Sequence, residues 1–366
     1  MAELRIEQLL REMVNRKASD LHLRVGVPPV YRINGALTRL FDVRIDSVMM
    51  DSFLDDIMNR DQKQRFETNK ECDFAVGARD MGRFRVNVFR QRGTIAVVIR
   101  HIKATIPAFE DLHLPEVIRD LALTKRGLVL VTGTTGSGKS TTLASMIDYI
   151  NQKESVNVIT VEDPIEYLYK DNVAIVSQRE IGVDTLSYAN ALRAALRQDP
   201  DVLLVGEIRD LETMQIALTA ADTGHMVFAT IHTTNAVETI HRVLSMYPPH
   251  QHDEIRLLLA EVLAGIISLR LLPTKDGKGR VPAAEILVNT GAIKEYIQDK
   301  DKIDMVEQAV AEGHIQYHSQ TFDQALLELY QSEQISLEVA MNAATNRDDF
   351  DLKIRGISGT SDRGWM

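Results

Sequence analysis

The stretch that most constrains the fold is VTGTTGSGKSTTLASM, which runs from Val131 to Met146. It contains the pattern G-x-x-x-x-G-K-[ST], with an apolar, strand-like run before it and a helical run after it. Glycines let backbone N–H groups approach phosphate oxygens, and the N-terminus of the following helix adds positive potential. The pattern therefore predicts a phosphate-binding loop between a strand and a helix. The loop consists of Gly133, Thr134, Thr135, Gly136, Ser137, Gly138, Lys139, Ser140 and Thr141.

Two residues of this loop have specific expected roles. The pattern places the Lys139 ammonium at the β and γ phosphates and the Ser140 hydroxyl on Mg²⁺. We therefore expect a nucleotide and Mg²⁺ to bind here.

From Gly127 onwards, short apolar runs alternate with helical segments. The apolar runs are LVLVT, VNVITV, DVLLVG and MVFATI, and the helical segments include SYANALRAALRQ and LETMQIALTAAD. This alternation predicts a parallel sheet covered by helices. The run Leu257–Leu272, interrupted by Glu261 and Arg270, predicts a buried helix that is too short to span a bilayer. After Asn289 the pattern is mostly helical and charged.

The region before the loop has a different pattern. A helical spacing begins at Ile6, and Asn34-Gly35 is a strong hairpin signal between two extended runs. The later run RFRVNVFRQRGTIAVVIR predicts two more strands joined by a turn. Because Pro107 and Pro115 interrupt the pattern that follows, we place a domain edge there. The predicted division is an α+β domain at 1–105, a linker at 106–125, an ATPase core at 126–290 and a helical region at 291–366 that ends in a loose tail.

Carboxylates follow two of the predicted parallel strands. Glu162 and Asp163 lie in VITVEDPIE, and Glu207 lies in DVLLVGEIRD. We call the Glu162–Asp163 pair and Glu207 the two acidic stations. The strand ends of such a sheet are where ligands bind, and phosphoryl transfer requires carboxylates to hold Mg²⁺ and to orient the attacking water. Glu207 is the second expected metal-binding residue, beside Ser140. Whether Glu162 or Glu207 is the general base is left open, and each carboxylate has the alternative role of capping the next helix.

Several cationic side chains are candidates for contacts with the phosphates. His225 and His232 flank the strand MVFATI, where an imidazole can sense the γ-phosphate or bond across a subunit boundary; partly buried structural histidines are the alternative. Arg193, Arg197 and Arg209 surround the Glu207 strand and either touch phosphate or are solvated helix residues.

Two arginines of the first domain have a separate expected role. The alternation in RFRVN gives its strand one apolar and one cationic face, which carries Arg85, and Arg100 follows on the next strand. Arginines of one domain that face a phosphate in another act as arginine fingers, which stabilise charge in the transition state. A solvated edge strand is the alternative interpretation.

The composition excludes several classes of protein. A formal charge of -10 argues against a general DNA or RNA coat, so no nucleic-acid partner is expected. One cysteine, Cys72, cannot form an internal disulfide or a thiolate metal cluster, and the ten histidines lack zinc-site spacing. The start MAELRIEQLL has no signal-peptide pattern, and we expect a cytoplasmic protein.

Taken together, the segments GTTGSGKSTT, TVEDPIEY, LRQDPDVLLVGEIRDLET and TGHMVFATIHTTNA, in this order, resemble the secretion ATPase superfamily. The resemblance is strongest to its type IV pilus retraction branch, the PilT/PilU twitching-motility ATPases. It implies a PAS-like first domain, a RecA-like second domain with a helical extension, and a homo-hexamer with ATP between subunits. It also assigns the loop, the two acidic stations, both histidines, Arg85 and Arg100 to the nucleotide site.

The resemblance further implies a motor that drives pilus retraction on an inner-membrane platform protein, with a paralogous pilus ATPase as a possible partner. Assembly and type II secretion ATPases usually add an N-terminal domain and a four-cysteine metal motif, whereas Cys72 stands alone here. An accessory PilU-like motor and an assembly or secretion ATPase remain alternatives, as do a RecA-like nucleic-acid motor and a nucleotide-gated scaffold without turnover.

Overall fold

A computed structural model describes residues 4–78, 80–102 and 105–355. The chain divides into two units. The first runs to Thr105 and takes in Glu166–Leu168, and the second comprises the rest of the chain from Ile106 onwards. Each unit is described separately below.

The first unit is built on a six-stranded antiparallel sheet with the strand order β3-β2-β1-β6-β5-β4. Its helices pack their apolar sides into one core with the sheet. The strands are β1 (Asp20–Arg24), β2 (Val30–Ile33), β3 (Ala36–Arg39), β4 (Glu71–Ala78), β5 (Gly82–Gln91) and β6 (Thr94–Ile102), and the helices are α1 (Ile6–Asn15), α2 (Ser47–Ile57) and α3 (Arg60–Asn69).

The structure confirms both hairpins expected in this unit. Asn34 and Gly35 have φ angles of 49° and 83°, and Arg92 and Gly93 have 50° and 79°. Two successive positive φ angles match the twist of antiparallel strands, which explains why glycine takes the second place in each turn. Cys72 on β4 is buried in the core, and burial raises the pKa of its thiol.

The second unit is built on a seven-stranded sheet with the order β13-β12-β7-β11-β10-β8-β9. All neighbours are parallel except the antiparallel pair β12 and β13. The strands are β7 (Gly127–Thr132), β8 (Asn157–Glu162), β9 (Ile175–Glu180), β10 (Val202–Val205), β11 (Met226–Ile231), β12 (Leu263–Pro273) and β13 (Arg280–Val288). The helices are α4 (Val117–Ala122), α5 (Lys139–Lys153), α6 (Tyr188–Ala195), α7 (Leu211–Asp222), α8 (Ala236–Ser245), α9 (His252–Val262), α10 (Gly291–Gln298), α11 (Val306–Glu312), α12 (His314–Tyr317), α13 (Phe322–Gln331), α14 (Leu337–Ala343) and α15 (Arg347–Ile354).

The four apolar runs recognised in the sequence form the parallel centre of this sheet. Every residue of β7, β10 and β11 is buried, because helices cover both faces. The carboxyl ends of β7, β8, β10 and β11 point to the same edge. We call this the carboxyl edge of the sheet and the opposite one the amino edge.

Two sequence-based expectations differ from the structure. Residues 257–272 are not one helix: α9 ends at Val262, and the chain continues as β12. The segment 106–125, expected as a linker, contains a 3-10 turn and α4, and it buries Phe109, Ile118 and Leu121. The expected loose tail lies outside the described residues.

Candidate active site

The phosphate loop connects β7 to α5 at the carboxyl edge. Gly133, Gly136 and Gly138 have φ angles of 138°, 82° and 102°, which other residues rarely adopt. A side chain on Gly133 would also place its Cβ 2.5 Å from the carbonyl oxygen of Leu269 on β12. The glycines are therefore required by the shape of the loop, which turns tightly against its neighbouring strand.

Lys139, the first residue of α5, points back over this loop. Its side chain is buried, and Nζ donates hydrogen bonds to the carbonyl oxygens of Gly133 at 2.7 Å and Thr134 at 3.0 Å. The hydroxyls of Thr132 and Ser137 are buried without a hydrogen-bond partner within the described chain. A buried cation and unsatisfied hydroxyls beside a helix N-terminus fit the oxygens of a phosphate group.

Glu207 is held between two basic side chains. One of its carboxylate oxygens accepts a hydrogen bond from Arg209 at 2.6 Å, and the other lies 3.2 Å from Nε2 of His232. The hydrogen bond from Arg209 lowers the pKa of Glu207, and the charges of Arg209, His232 and Lys139 add to this effect against the cost of burial. The carboxyl is therefore ionised at neutral pH, as a group that binds a cation or orients water must be.

The backbone around Glu207 is fixed by the neighbouring strand. Gly206 follows β10, and its carbonyl oxygen accepts a hydrogen bond from the Thr230 hydroxyl at 2.5 Å. The N–H of Ile208 donates to the carbonyl oxygen of Thr230 at 2.9 Å. Because His232 follows β11 directly, these bonds place Glu207 and His232 side by side at the carboxyl edge.

The alternative role of Glu207 as a helix cap is wrong. Asp210 caps α7 instead, because its side chain accepts a hydrogen bond from the Thr213 N–H at 2.8 Å. Asp163 has no helix to cap either, since the next element of the described chain after β8 is β9.

The second acidic station lies beside the first. Glu162 ends β8 and accepts hydrogen bonds from the Thr160 hydroxyl at 2.7 Å and the Gln178 amide at 3.2 Å. The pairing of β8 with β10 brings Glu162 against Gly206, where an added Cβ would lie 3.2 Å from the Cα of Glu162. Both acidic stations therefore reach the same edge as the phosphate loop.

Sequence reasoning missed Tyr188, which opens α6 at this edge. Its hydroxyl packs against Gly206, the residue before Glu207: a Cβ added to this glycine would lie 3.0 Å from the hydroxyl oxygen. Burial raises the pKa of Tyr188, and the negative charges of Asp163, Glu207 and Glu162 raise it further. The phenol therefore stays protonated and can donate a hydrogen bond among carboxylates. The available signal was Ser187, a helix-capping residue type that places the start of α6 at the carboxyl edge.

Two of the predicted phosphate contacts lie at the edge opposite the loop, and a third has another partner. His225 precedes β11 at the amino edge, about 23 Å from His232 at about 3.3 Å per strand residue. Its Nδ1 lies 2.9 Å from the carbonyl oxygen of Ala220. Arg197 also lies at the amino edge. The carbonyl oxygens of the next two residues, Gln198 and Asp199, accept hydrogen bonds from the side chain of Asn157, the first residue of β8. Arg193 forms an ion pair with Glu212 on α7.

In the first unit, Arg85 and Arg100 occupy directly opposed positions on β5 and β6. Nε of Arg85 lies 3.3 Å from the Asp73 carboxylate, and Nε of Arg100 donates to Asp20 at 2.9 Å. Burial disfavours the charged form of Asp20, but hydrogen bonds from Ser19 and Arg100 outweigh it and lower its pKa. Each arginine therefore has an acidic partner that orients it and leaves other N–H groups for a further ligand.

Residues 4–78, 80–102 and 105–355 lack two kinds of feature. They contain no group of three or more His, Cys, Asp or Glu side chains placed to hold a metal ion. Within the same ranges, no helix is long and apolar enough to cross a membrane.

Comparisons with known proteins agree with this architecture. The chain is 40% identical over 352 residues to the type IV pilus ATPase PilU of Pseudomonas aeruginosa, across 96% of this chain and 92% of that protein. It is 42% identical over 345 residues to the type IV pilus retractation ATPase PilT of the same organism, across 94% and 99%. A crystal structure of the pilus retraction motor PilT with bound ADP matches with a TM-score of 0.89 at 46% identity, across 95% of this chain and 99% of that one.

The structural match confirms the expected fold class, an N-terminal α+β domain followed by a P-loop ATPase domain with a helical extension. The model of the type II/IV secretion system protein family matches residues 1–352. The chain therefore belongs to the type II/IV secretion system protein family, as an ATPase of its PilT/PilU branch.

Proposed function

We propose that this ATPase is a homo-hexameric motor that uses ATP hydrolysis to retract type IV pili. The observation that carries the proposal is the match to PilT over nearly the whole of both chains. The relative named for retraction is covered to 99% of its length.

The chemistry follows from the carboxyl edge of the second unit. Lys139 and the loop N–H groups bind the β and γ phosphates, and the buried hydroxyls of Thr132 and Ser137 are available to the same oxygens. The ionised Glu207 orients the attacking water or accepts its proton as the bond to the γ-phosphorus forms. Glu162 is the alternative base. Tyr188 donates a hydrogen bond to an oxygen atom that lies between Glu162 and Glu207.

Mg²⁺ fits this site as part of the nucleotide complex. A P-loop holds Mg²⁺ through few protein groups and the phosphates themselves, which agrees with the absence of a self-contained metal cluster in the described ranges. Ser140 and Glu207 are the residues that would hold the ion or its waters. The ion would supply positive charge that stabilises the phosphates in the transition state.

The hexamer is proposed because the arginines and the loop belong to different units. Arg85 and Arg100 lie on the first unit, and Lys139 and Glu207 on the second. We propose that both arginines reach ATP bound by a neighbouring copy and neutralise charge that develops during hydrolysis. Opening and closing of successive interfaces would then couple hydrolysis to motion.

The remaining partners are proposed from the retraction function. A retraction motor acts in the cytoplasm on an inner-membrane platform protein, to which it binds peripherally. The net charge of -10 opposes a nucleic-acid track, so we expect DNA to leave the ATPase rate unchanged.

A second candidate is an accessory motor that works beside a paralogous pilus ATPase. The match to PilU favours it, because the chain is 40% identical to PilU over 352 residues and 42% identical to PilT over 345. Deletion of the coding gene tests both. Loss of a principal retraction motor should leave cells with abundant pili that do not retract. Loss of an accessory motor should leave cells in which pili still retract in part. Too few pili would instead indicate an assembly motor and overturn the proposal.

A further inference from the structure

Glu285 is a buried carboxyl group with no role in the proposed chemistry. It lies on β13 and is 7% exposed. Its Oε1 accepts hydrogen bonds from the N–H of Ala236 at 2.6 Å and from the Ser268 hydroxyl at 3.3 Å. These two partners lead to different parts of the candidate active site.

The Ala236 bond leads to His232. Ala236 is the first residue of α8, and the segment 232–235 joins β11 to that helix. This segment, which we call the His232 loop, is tied to α8 at two points. The hydroxyls of Thr233 and Thr239 lie 2.6 Å apart, and the Thr234 N–H and hydroxyl both donate to Glu238. The loop and the first turn of α8 therefore form one body, which the Glu285 carboxyl fastens to the sheet.

The Ser268 bond leads to the phosphate loop. Ser268 on β12 pairs with Glu285 on one side and with Thr132 on the other. Thr132 directly precedes Gly133, and the next β12 residue after Ser268 provides the carbonyl oxygen that a Gly133 side chain would meet. One carboxyl group thus contacts both the strand that supports the phosphate loop and the helix that carries the His232 loop.

We propose that Glu285 is a positioning residue that holds the His232–Glu207 pair in place relative to the phosphate loop, and that protonation of its carboxyl loosens this hold. The inference rests on the proposed role of Glu207 in ATP hydrolysis. An ionised carboxylate binds the N–H at a helix N-terminus more strongly than a neutral acid does, which gives the direction of the effect.

The surroundings of Glu285 place its titration in a physiological range. Burial raises its pKa to about 7, against the lowering effect of the Ala236 hydrogen bond. The charged groups that act on it are Glu307 on α11, which raises the pKa, and Arg270 on β12, which lowers it. A cavity of about 20 Å³ beside the carboxyl has room for one water, which gives protons a place to enter.

The test is the pH dependence of ATP hydrolysis in wild type and Glu285→Gln. We expect the wild-type kcat to rise about fivefold from pH 6 to pH 8, the difference between a neutral and a charge-assisted hydrogen bond. Glutamine keeps an acceptor for Ala236 but does not titrate, so this step should disappear while KM for ATP stays unchanged. Retention of the wild-type step by Glu285→Gln would overturn the proposal.

Two further variants test whether Glu285 is the titrating group. Ser268→Ala removes a hydrogen bond that favours the charged carboxyl, so the midpoint of the kcat profile should move to higher pH. Glu238→Gln is the matched control, because Glu238 holds the same loop from an exposed position, and its midpoint should stay at the wild-type value. An unmoved midpoint in Ser268→Ala, or a moved one in Glu238→Gln, would count against Glu285 as the titrating group.

Thermal unfolding gives a readout that does not depend on activity. The folded pKa of Glu285 lies above its unfolded value of 4.5, so the folded state holds the extra proton between these values. The titration of Glu285 therefore lowers the free energy of unfolding as pH rises from about 4.5 to 7. The Glu285→Gln variant should lack this decrease. If the unfolding data show the fall but kcat does not follow it, the positioning role is wrong. If Glu207→Gln leaves the rate normal, the proposed catalytic site fails while the Glu285 titration still stands.

Discussion

The two sheets of this protein carry their charged residues in different places. In the seven-stranded sheet, the phosphate loop, Glu162 and Glu207 all follow strand ends at one edge. In the six-stranded sheet, Arg85 and Arg100 lie opposite each other within neighbouring strands, each with an acidic partner. Parallel strands gather their carboxyl ends at one edge, whereas antiparallel strands present side chains on a face. The second unit can therefore bind a ligand at the carboxyl edge of its sheet, whereas the first unit can contact one through the sheet face that carries Arg85 and Arg100.

The largest effect is expected when the lysine of the phosphate loop is removed from the carboxyl edge. Lys139→Ala should reduce ATP turnover to background, because it removes the buried cation from the loop while leaving the glycine turns intact. Lys153→Ala, at the other end of the same helix, is the matched control and should keep wild-type turnover. Steady-state phosphate release measures both, and substantial turnover by Lys139→Ala would remove the proposed site.

The next prediction tests whether the face of the first unit completes the site in another copy. Arg100→Ala should lower turnover by about 10³-fold, and mixed rings of Arg100→Ala and Lys139→Ala subunits should recover activity. In such rings, an intact loop from one chain meets an intact arginine from its neighbour. Phosphate release after mixing and reassembly is the measurement.

Two controls make this mixing experiment decisive. Asp20→Asn removes the negative charge that pairs with Arg100 but keeps the arginine, so it should retain most turnover if Arg100 acts on ATP rather than through the Asp20 ion pair. Titration of Lys139→Ala subunits into wild type measures how well a ring tolerates inactive neighbours. If wild type tolerates them and the mixed mutants show no recovery, the arginine does not act in trans.

A smaller effect ranks the two acidic stations. Glu207→Gln should bind ATP normally and slow hydrolysis by about 10²- to 10³-fold, because the neutral amide cannot accept a proton. Glu162→Gln should slow it less if Glu207 is the base, and glutamine keeps the side-chain oxygen that accepts hydrogen bonds from Thr160 and Gln178. Single-turnover hydrolysis compares them, with Glu212→Gln, which pairs with Arg193, as the surface control. The reverse order would make Glu162 the base.

The smallest effect contrasts the two edges of the same sheet. Arg197→Ala should change kcat by less than about twofold, because exposed substitutions away from a site have small effects and Arg197 lies at the amino edge. Arg209→Ala should cost far more, since it removes the hydrogen bond that lowers the pKa of Glu207. Equal losses from both variants would show that the amino edge also takes part in the reaction.

Much of the second unit was predictable because its signals are local. The loop glycines, the buried strands and the acidic residues after them follow from short patterns, and all lie at one edge once the strands run parallel. In the first unit, the Asn34-Gly35 and Arg92-Gly93 turns were predictable for the same reason, since positive φ angles select their residues.

The failures arise because a local pattern gives neither a residue's position on a sheet nor the choice between a buried helix and a buried strand. His225 and His232 flank one strand, and the strand places them at opposite edges. The run 257–272 is mostly apolar, and such a run does not distinguish a buried helix from a buried strand. Glu285 belongs to no recognisable motif, because its partners are an amide 49 residues away and a hydroxyl 17 residues away.

The burial of Cys72 has a practical consequence for following the motion of this motor. It is the single cysteine of the chain, and a buried thiol with a raised pKa reacts slowly with maleimides and disulfide reagents. A cysteine introduced at an exposed position can therefore be labelled or cross-linked selectively without first replacing the native one. Pairs of fluorophores or cross-links placed in this way would report distances between subunits during turnover, on a protein whose core is unchanged.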